Sequence, residues 1–380
     1  MRDRTSRVAT FSLFFLALSG SLWAQDGFPN QTFGTPRRWL EDLNRQGIYF
    51  RPGSFADGSG FALPVAYWRP DLVGQRLDFF ASGARSVRGN DYFEIRLGRV
   101  PHRPGRIPPR RDGFESLSGF GSEGSRFFFY AHARRREVDQ GLYVGSSGTP
   151  WATYGLRDDT LEVVGGYQLG QQWGASARLG YVDFDLGETS STMPSADASF
   201  FRVGAELAFD DRDEPLNPHA GGFLSLSLDH YRGRAAAPVA FQRATLDARR
   251  FLSLGSRRHV LAFRALGSAD FGQADRVPFY LQPSLGGSFA LRGYDLFRFR
   301  GERLFTVSGE YRFEALRFLE LAAFYDAGRA WGGPTGEGSG LRTSYGLGLR
   351  LKTPRAVLIR FDAARGDEGP QVHLKFGYSF

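Results

Sequence analysis

The sequence predicts an all-β fold: a transmembrane antiparallel β-barrel of sixteen strands preceded by a short helix. Three observations predict it. In the last ten residues Val372, Leu374, Phe376, Tyr378 and Phe380 alternate with Gln371, His373, Lys375, Gly377 and Ser379, and a side-chain period of two puts all the apolar members on one face. A soluble sheet ending on such an edge would recruit other chains, whereas a closed wall in a bilayer leaves no edge. Beyond residue 24 no run of roughly 18 apolar residues occurs, and mean hydropathy is −0.32, so spanning helices are excluded. The 36 phenylalanines, 15 tyrosines and 6 tryptophans suit an aromatic girdle, and 49 glycines suit a wall that bends.

The elements follow in chain order. Arg2, Arg4 and Arg7 precede an apolar run from Val8 to Leu18, and Ser19, Ser21 and Ala24 form a small-residue exit, so residues 1–24 read as a signal peptide cleaved after Ala24. In the periplasmic segment 25–47, Thr35 is the N-cap of one helix, Pro36 its first residue and Gly47 its stop, with Trp39, Leu40 and Leu43 on one face. That segment is below the roughly 40 residues at which a domain folds unaided, so no separate domain is expected ahead of the barrel at 48–380. The strands are expected at 48–56, 61–68, 75–87, 90–100, 126–136, 156–169, 173–186, 199–210, 221–232, 241–254, 259–271, 303–314, 317–330, 342–353, 356–365 and 371–380, each near the ~10 residues of a tilted span. An even number returns both ends to the periplasm. Pro52 and Gly53 interrupt the first.

Alternation is cleanest late in the chain. Phe305, Val307, Tyr311 and Phe313 oppose Thr306, Ser308, Glu310 and Arg312; Leu319, Leu321 and Tyr325 oppose Glu320 and Asp326; Val357, Ile359 and Phe361 oppose Arg360 and Asp362. A charge on the lipid face at mid-bilayer costs about 2–4 kcal/mol, so the charged rows line the lumen. Asp71–Gly74, Asn217–Pro218 and Lys352–Arg355 read as tight periplasmic turns. The long segments near 101–125, 187–198 and 272–302 read as external loops.

A net charge of +8 rests almost wholly on arginine, Lys352 and Lys375 being the only lysines. With a signal peptide, the anionic partner implied is lipopolysaccharide and outer-membrane lipid rather than nucleic acid. Arg134, Arg135 and Arg136, at the outer end of the fifth strand, either hold lipopolysaccharide or face water. The absence of cysteine removes disulfide and thiolate chemistry. Gly119–Gly124 matches a dinucleotide fingerprint but opens no helix, no Gly-x-Ser-x-Gly elbow occurs, and the six histidines lack metal spacing. No catalysis, cofactor or metal is expected.

The loop between the eleventh and twelfth strands holds Pro283-Ser-Leu-Gly-Gly-Ser-Phe-Ala-Leu-Arg-Gly-Tyr294. With Gly309–Phe313 and Phe324–Gly328 in order behind it, the chain resembles the BamA/TamA superfamily of outer-membrane assembly and secretion barrels. The resemblance implies a sixth external loop folded into the lumen, with Arg292, Gly293 and Tyr294 at its tip and Arg292 docked on Glu310 and Asp326. Alternation independently puts both carboxylates on the lumen face. Phe209–Pro218 with Gly221 is similar to the family's periplasmic turn, carried here by Asp210, Arg212, Asp213, Pro218 and Gly221, and Gly58–Gly60 with Pro70–Gly74 to its first hairpin. Tyr378 and Phe380 match its terminal assembly signal, with Lys375 where glycine is usual. The POTRA domains normal in the family are not found ahead of the barrel. The implied function is assisting insertion or translocation of proteins, or lipid, at the outer membrane through a lateral seam. The alternative is a passive pore or structural barrel plugged by the 36–46 helix. Implied partners are the barrel assembly machinery, unfolded outer-membrane protein clients and a periplasmic protein in trans.

Overall fold

Alternation at period two gives a strand one buried and one exposed row, and the computed structural model places the charges in the buried one. It describes residues 43, 46–50, 61–72, 77–99, 126–143, 150, 152–187, 197–215, 217–234, 238–333, 340–352 and 357–376. The chain divides into two units, Met1–Gln46 and Gly47–Phe380. In the first, Leu43 is helical and its carbonyl accepts from Gln46 N at 3.0 Å. The rest of the predicted helix, the signal segment, Gly58–Gly60, Gly119–Gly124, Tyr378 and Phe380 lie outside the described residues.

The second unit is β throughout. Its strands are β1 (Ile48–Phe50), β2 (Val65–Leu72), β3 (Leu77–Arg85), β4 (Asp91–Arg99), β5 (Phe127–Leu142), β6 (Ala152–Gln168), β7 (Trp173–Leu186), β8 (Ala198–Asp210), β9 (Gly221–Gly233), β10 (Ala240–Leu254), β11 (Ser256–Gly272), β12 (Ser284–Leu285), β13 (Phe299–Arg300), β14 (Arg303–Leu316), β15 (Leu319–Trp331), β16 (Arg342–Lys352), β17 (Val357–Gly366) and β18 (Gly369–Phe376). Sixteen of them form one sheet in sequence order, and β12 and β13 form a separate hairpin between β11 and β14. Every pair is antiparallel, as in β14–β15, where Glu310 faces Phe324 and Ser308 faces Asp326. Among the described residues no ladder joins β1 to β18.

The exposed row is apolar, with Leu161 60%, Leu179 60%, Leu347 68% and Val372 63% accessible. The buried row carries Asp229, Asp247, Arg249, Arg264, Asp326, Arg350, Arg360 and Asp362. A sheet this greasy outside and charged inside is stable only where the outside meets hydrocarbon. The buried charges persist because they are paired: Asp247 accepts from Arg249 at 2.7 Å and Arg264 at 2.9 Å, and Arg202 spans Glu162 at 3.2 Å and Asp229 at 3.0 Å.

Two expectations are corrected. The second strand starts at Val65 and runs through Pro70 to Leu72, into the expected turn at Asp71, and its register slips between Arg69 and Leu72 because Pro70 has no N–H for the ladder. The fifth and sixth strands reach Leu142 and back to Ala152. The outward row there changes from Phe127, Phe129 and Leu161 to Arg135, Arg157 and Asp159, so hydrophobic alternation stops at the lipid boundary while the ladder continues on cross-strand ion pairs. The three consecutive arginines are ion-paired along these strands: Arg134 and Arg136 both reach Asp158, at 2.6 and 2.5 Å, and the exposed Arg135 forks onto Asp159 at 2.6 and 2.8 Å. The expected loop segment 101–125 and most of 187–198 lie outside the described residues. The ends of β11 and β14, joined by 273–302, lie on the sheet edge opposite the Asp211–Ala220 turn.

Candidate functional site

The site is the connection 273–302, which runs along the buried face of the sheet. Two single turns, Ala274–Arg276 and Phe279–Leu281, precede the β12–β13 hairpin, where Ser284 faces Arg300 and Leu285 faces Phe299. Gly286 and Gly287 start the tip at φ +110° and +84°, in the left-handed region, and a Cβ on Gly286 would overlap the carbonyl oxygen of Asp295. Only glycine fits there. Backbone bonds from Tyr294 to Leu291 and from Gly287 to Tyr294, at 3.2 and 3.0 Å, fold the tip back on itself.

The first half is held by apolar packing. Val277 and Tyr280 are buried with Phe184, Phe200, Tyr231 and Phe241 of β7–β10, and Phe279 meets the Tyr154 ring edge-on at 5.2 Å. The second half is held by charge. Arg292 Nε and Nη2 donate to the two oxygens of Asp326 at 2.9 and 2.8 Å, Nη1 donates to Glu310 at 2.8 Å, and its backbone N–H adds a bond to Asp326 at 3.1 Å. The guanidinium carbon lies 3.4 Å from the centre of the Phe324 ring. A planar fork stacked on an aromatic face and paired to two carboxylates is an arrangement arginine forms and lysine cannot. Arg292, Glu310 and Asp326 are all almost fully buried. Glu310 also takes Arg312 at 2.7 Å and Arg350 at 2.8 Å, so the dock is part of a continuous ionic cluster.

The other two predicted tip residues fall beside it. The buried Tyr294 donates its hydroxyl to Asp367 Oδ2 at 3.1 Å and accepts from the Asp367 N–H at 3.3 Å; burial pushes that hydroxyl above its ordinary pKa. Gly293 crosses Gly366, where a Cβ would lie 2.5 Å from a backbone nitrogen. The loop has further contacts the sequence did not reveal. Arg298 binds Glu368 at 2.7 Å, and Arg300 donates to Gln140 and Tyr154 at 2.8 and 2.9 Å. Arg264 donates to the Phe289 carbonyl and Arg360 to that of Ser288, each at 2.9 Å. Two loop residues two apart thus reach β5–β6 and the β17–β18 turn, so the sheet curls around the loop. Alternation marked Arg360 and Asp362 as inward, but no sequence signal pairs Arg300 with a residue 160 positions away.

On the opposite edge the described residues of the Asp211–Ala220 turn are also fixed by charge. Arg212 has a fully buried side chain, forks onto Asp210 at 2.9 and 3.0 Å, and lies 5.0 Å from the Phe223 ring. Asp213 accepts from the N–H groups of Glu214, His219 and Ala220 at 2.9, 2.9 and 3.1 Å. Burial would raise the Asp213 pKa, but these bonds hold it below the carboxylate value. Burial, with Lys352 nearby, lowers that of His219. Pro218 is buried, and Gly221 has φ +90° with its α-hydrogen side pressed against the Asp211 carbonyl, where any Cβ would overlap the oxygen, so it too must be glycine. Arg212→Ala leaves Asp210 buried without its fork and is expected to destabilise the chain by about 3 kcal/mol; the midpoint of urea unfolding in detergent measures it.

Residues 125–380 match the family model for the Omp85 superfamily domain. Among solved structures the chain is similar to BamA from Haemophilus ducreyi lacking POTRA domains 1-3, at TM-score 0.62 and 14% identity over 90% of this chain and 77% of that one. It is also similar to CdiB from Acinetobacter baumannii, at TM-score 0.53 and 14% identity over 88% of this chain and 60% of that one. CdiB from Escherichia coli gives TM-score 0.56 and 14% identity over 93% and 73%. Comparison with curated proteins gives no match.

Proposed function

This chain belongs to the Omp85 superfamily, and from that premise we propose that it assists the insertion or translocation of polypeptide, or lipid, at the bacterial outer membrane through a lateral seam between β1 and β18. Membership makes it a non-enzymatic outer-membrane barrel. The observation that carries the finer reading is the loop fastened along the inward face by Arg292, Glu310 and Asp326. A lumen occupied by its own buried, ion-paired loop is poorly suited to an open pore, whereas the two ends of the sheet have no described ladder between them. A seam that opens there would offer backbone N–H and C=O groups to an incoming extended segment. Unfolded outer-membrane proteins are the clients such a seam fits.

The chain has no cysteine, so a pair placed at Ile48 and Leu374 can be bridged selectively with bis-maleimides of graded length. A short bridge is expected to abolish client insertion and a long one to restore it. Unchanged insertion at every length would mean that the wall is static and the seam reading wrong.

A further inference from the structure

The docked loop and the seam strand β18 are neighbours in the structure. The contacts of the last hairpin join them. His373 lies on the inward row of β18, opposite Asp362 of β17. Its Nε2 is 2.7 Å from the carbonyl oxygen of Arg292, and facing a carbonyl that nitrogen must carry the proton and donate. Asp362 lies 3.8 Å from Arg292 Nη1, so the strand pair touches the docked residue from both sides.

The same hairpin is held at other points along its length. At its turn, Tyr294 is bonded to Asp367 and Arg298 to Glu368. At the end of β17, Gly366 abuts Gly293. Deeper, Arg360 donates to the Ser288 carbonyl, and the Phe289 ring sits 5.5 Å from the Arg360 guanidinium and 5.9 Å from Lys375 Nζ. Lys375, which departs from the family's usual glycine, therefore has a use here as a cation over a loop aromatic. On its other flank β18 has no described strand partner.

We infer that His373 is a positioning residue through which the docked Arg292 loop holds the terminal hairpin in place, so that undocking the loop and loosening the last strand are one event. This deepens the proposed function and rests on its seam. The hairpin's order is bound to the loop because the loop supplies fixed contacts along the hairpin's inward row and turn. Either substitution, at Arg292 or at His373, then raises the opening of β18 through the same contact.

Hydrogen–deuterium exchange of the full chain in liposomes tests this without a client. His373→Ala is expected to speed exchange across 369–376 by about tenfold. Peptides of β9 and β10 should be unchanged, which certifies the fold. His373→Gln, which retains an N–H donor, should restore most of the protection, whereas His373→Leu, which fills similar space without a donor, should not. Tyr294→Phe, which removes one turn contact, should give a smaller effect in the same peptides. Equal protection in wild type and His373→Ala would overturn the inference, as would identical behaviour of the Ala and Gln variants. Faster exchange in a chain that inserts no client would support the coupling and remove only the assisting role.

Discussion

Arg292→Ala is expected to release the 273–302 loop from the inward face while leaving the strands assembled. The substitution leaves Asp326 fully buried with the Ser344 hydroxyl at 3.4 Å and no cation bonded to it among the described residues. Glu310 keeps Arg312 and Arg350. Removing one partner of a buried ionic set costs about 3–5 kcal/mol, because the remaining carboxylate has lost its water and gains nothing in return. The chain relieves that cost by letting the tip leave. Trypsin is then expected to cut at Arg298 and Arg300 within minutes in the variant and not in the wild type, with the folded barrel still migrating as a compact species in unheated gels. Arg292→Lys should fall between, since a point ammonium cannot fork across Asp326 while stacking on Phe324. Equal resistance in Arg292→Ala would mean that the aromatic packing of Val277 and Tyr280 suffices to hold the whole loop.

Gly293→Ala should displace the same tip without changing any charge. The added carbon would lie 2.5 Å from the Gly366 nitrogen, 2.5 Å from Ser344 Cβ and 2.7 Å from the Arg365 carbonyl carbon. Two of those are backbone atoms of β17, which no rotamer change can move. Overpacking of this kind costs about 1–3 kcal/mol. Gly366→Ala meets the same contact from the other side, 2.7 Å from the Gly293 oxygen and 2.8 Å from the Tyr294 ring. Because the two variants break one contact, the double variant should lower the thermal midpoint little more than the worse single one. Full additivity would place the two glycines in independent roles.

Much of this was legible in the sequence for a simple reason: the lipid face admits no charge, so alternation at Phe305–Phe313 or Leu319–Tyr325 can be read only one way round. That rule put Glu310 and Asp326 inside, and the resemblance added Arg292 as their cation. The rule lost force where lipid no longer constrains the outward row. β5 and β6 continue past the membrane on Arg135–Asp159 and Arg157–Asp185 pairs, which composition alone does not distinguish from loop. The contacts of Arg298, Arg300 and His373 were illegible for another reason: their partners are carbonyls, or side chains 70 to 160 residues distant, and nothing in a local pattern encodes such a pairing.

The most direct test of the central claim is reconstitution of the full chain in proteoliposomes, wild type beside Arg292→Ala, following protease protection of an unfolded outer-membrane client together with ion conductance. The account predicts client insertion by the wild type that falls in the variant, with low wild-type conductance. Steady conductance in both with no client insertion would contradict it and identify a passive pore.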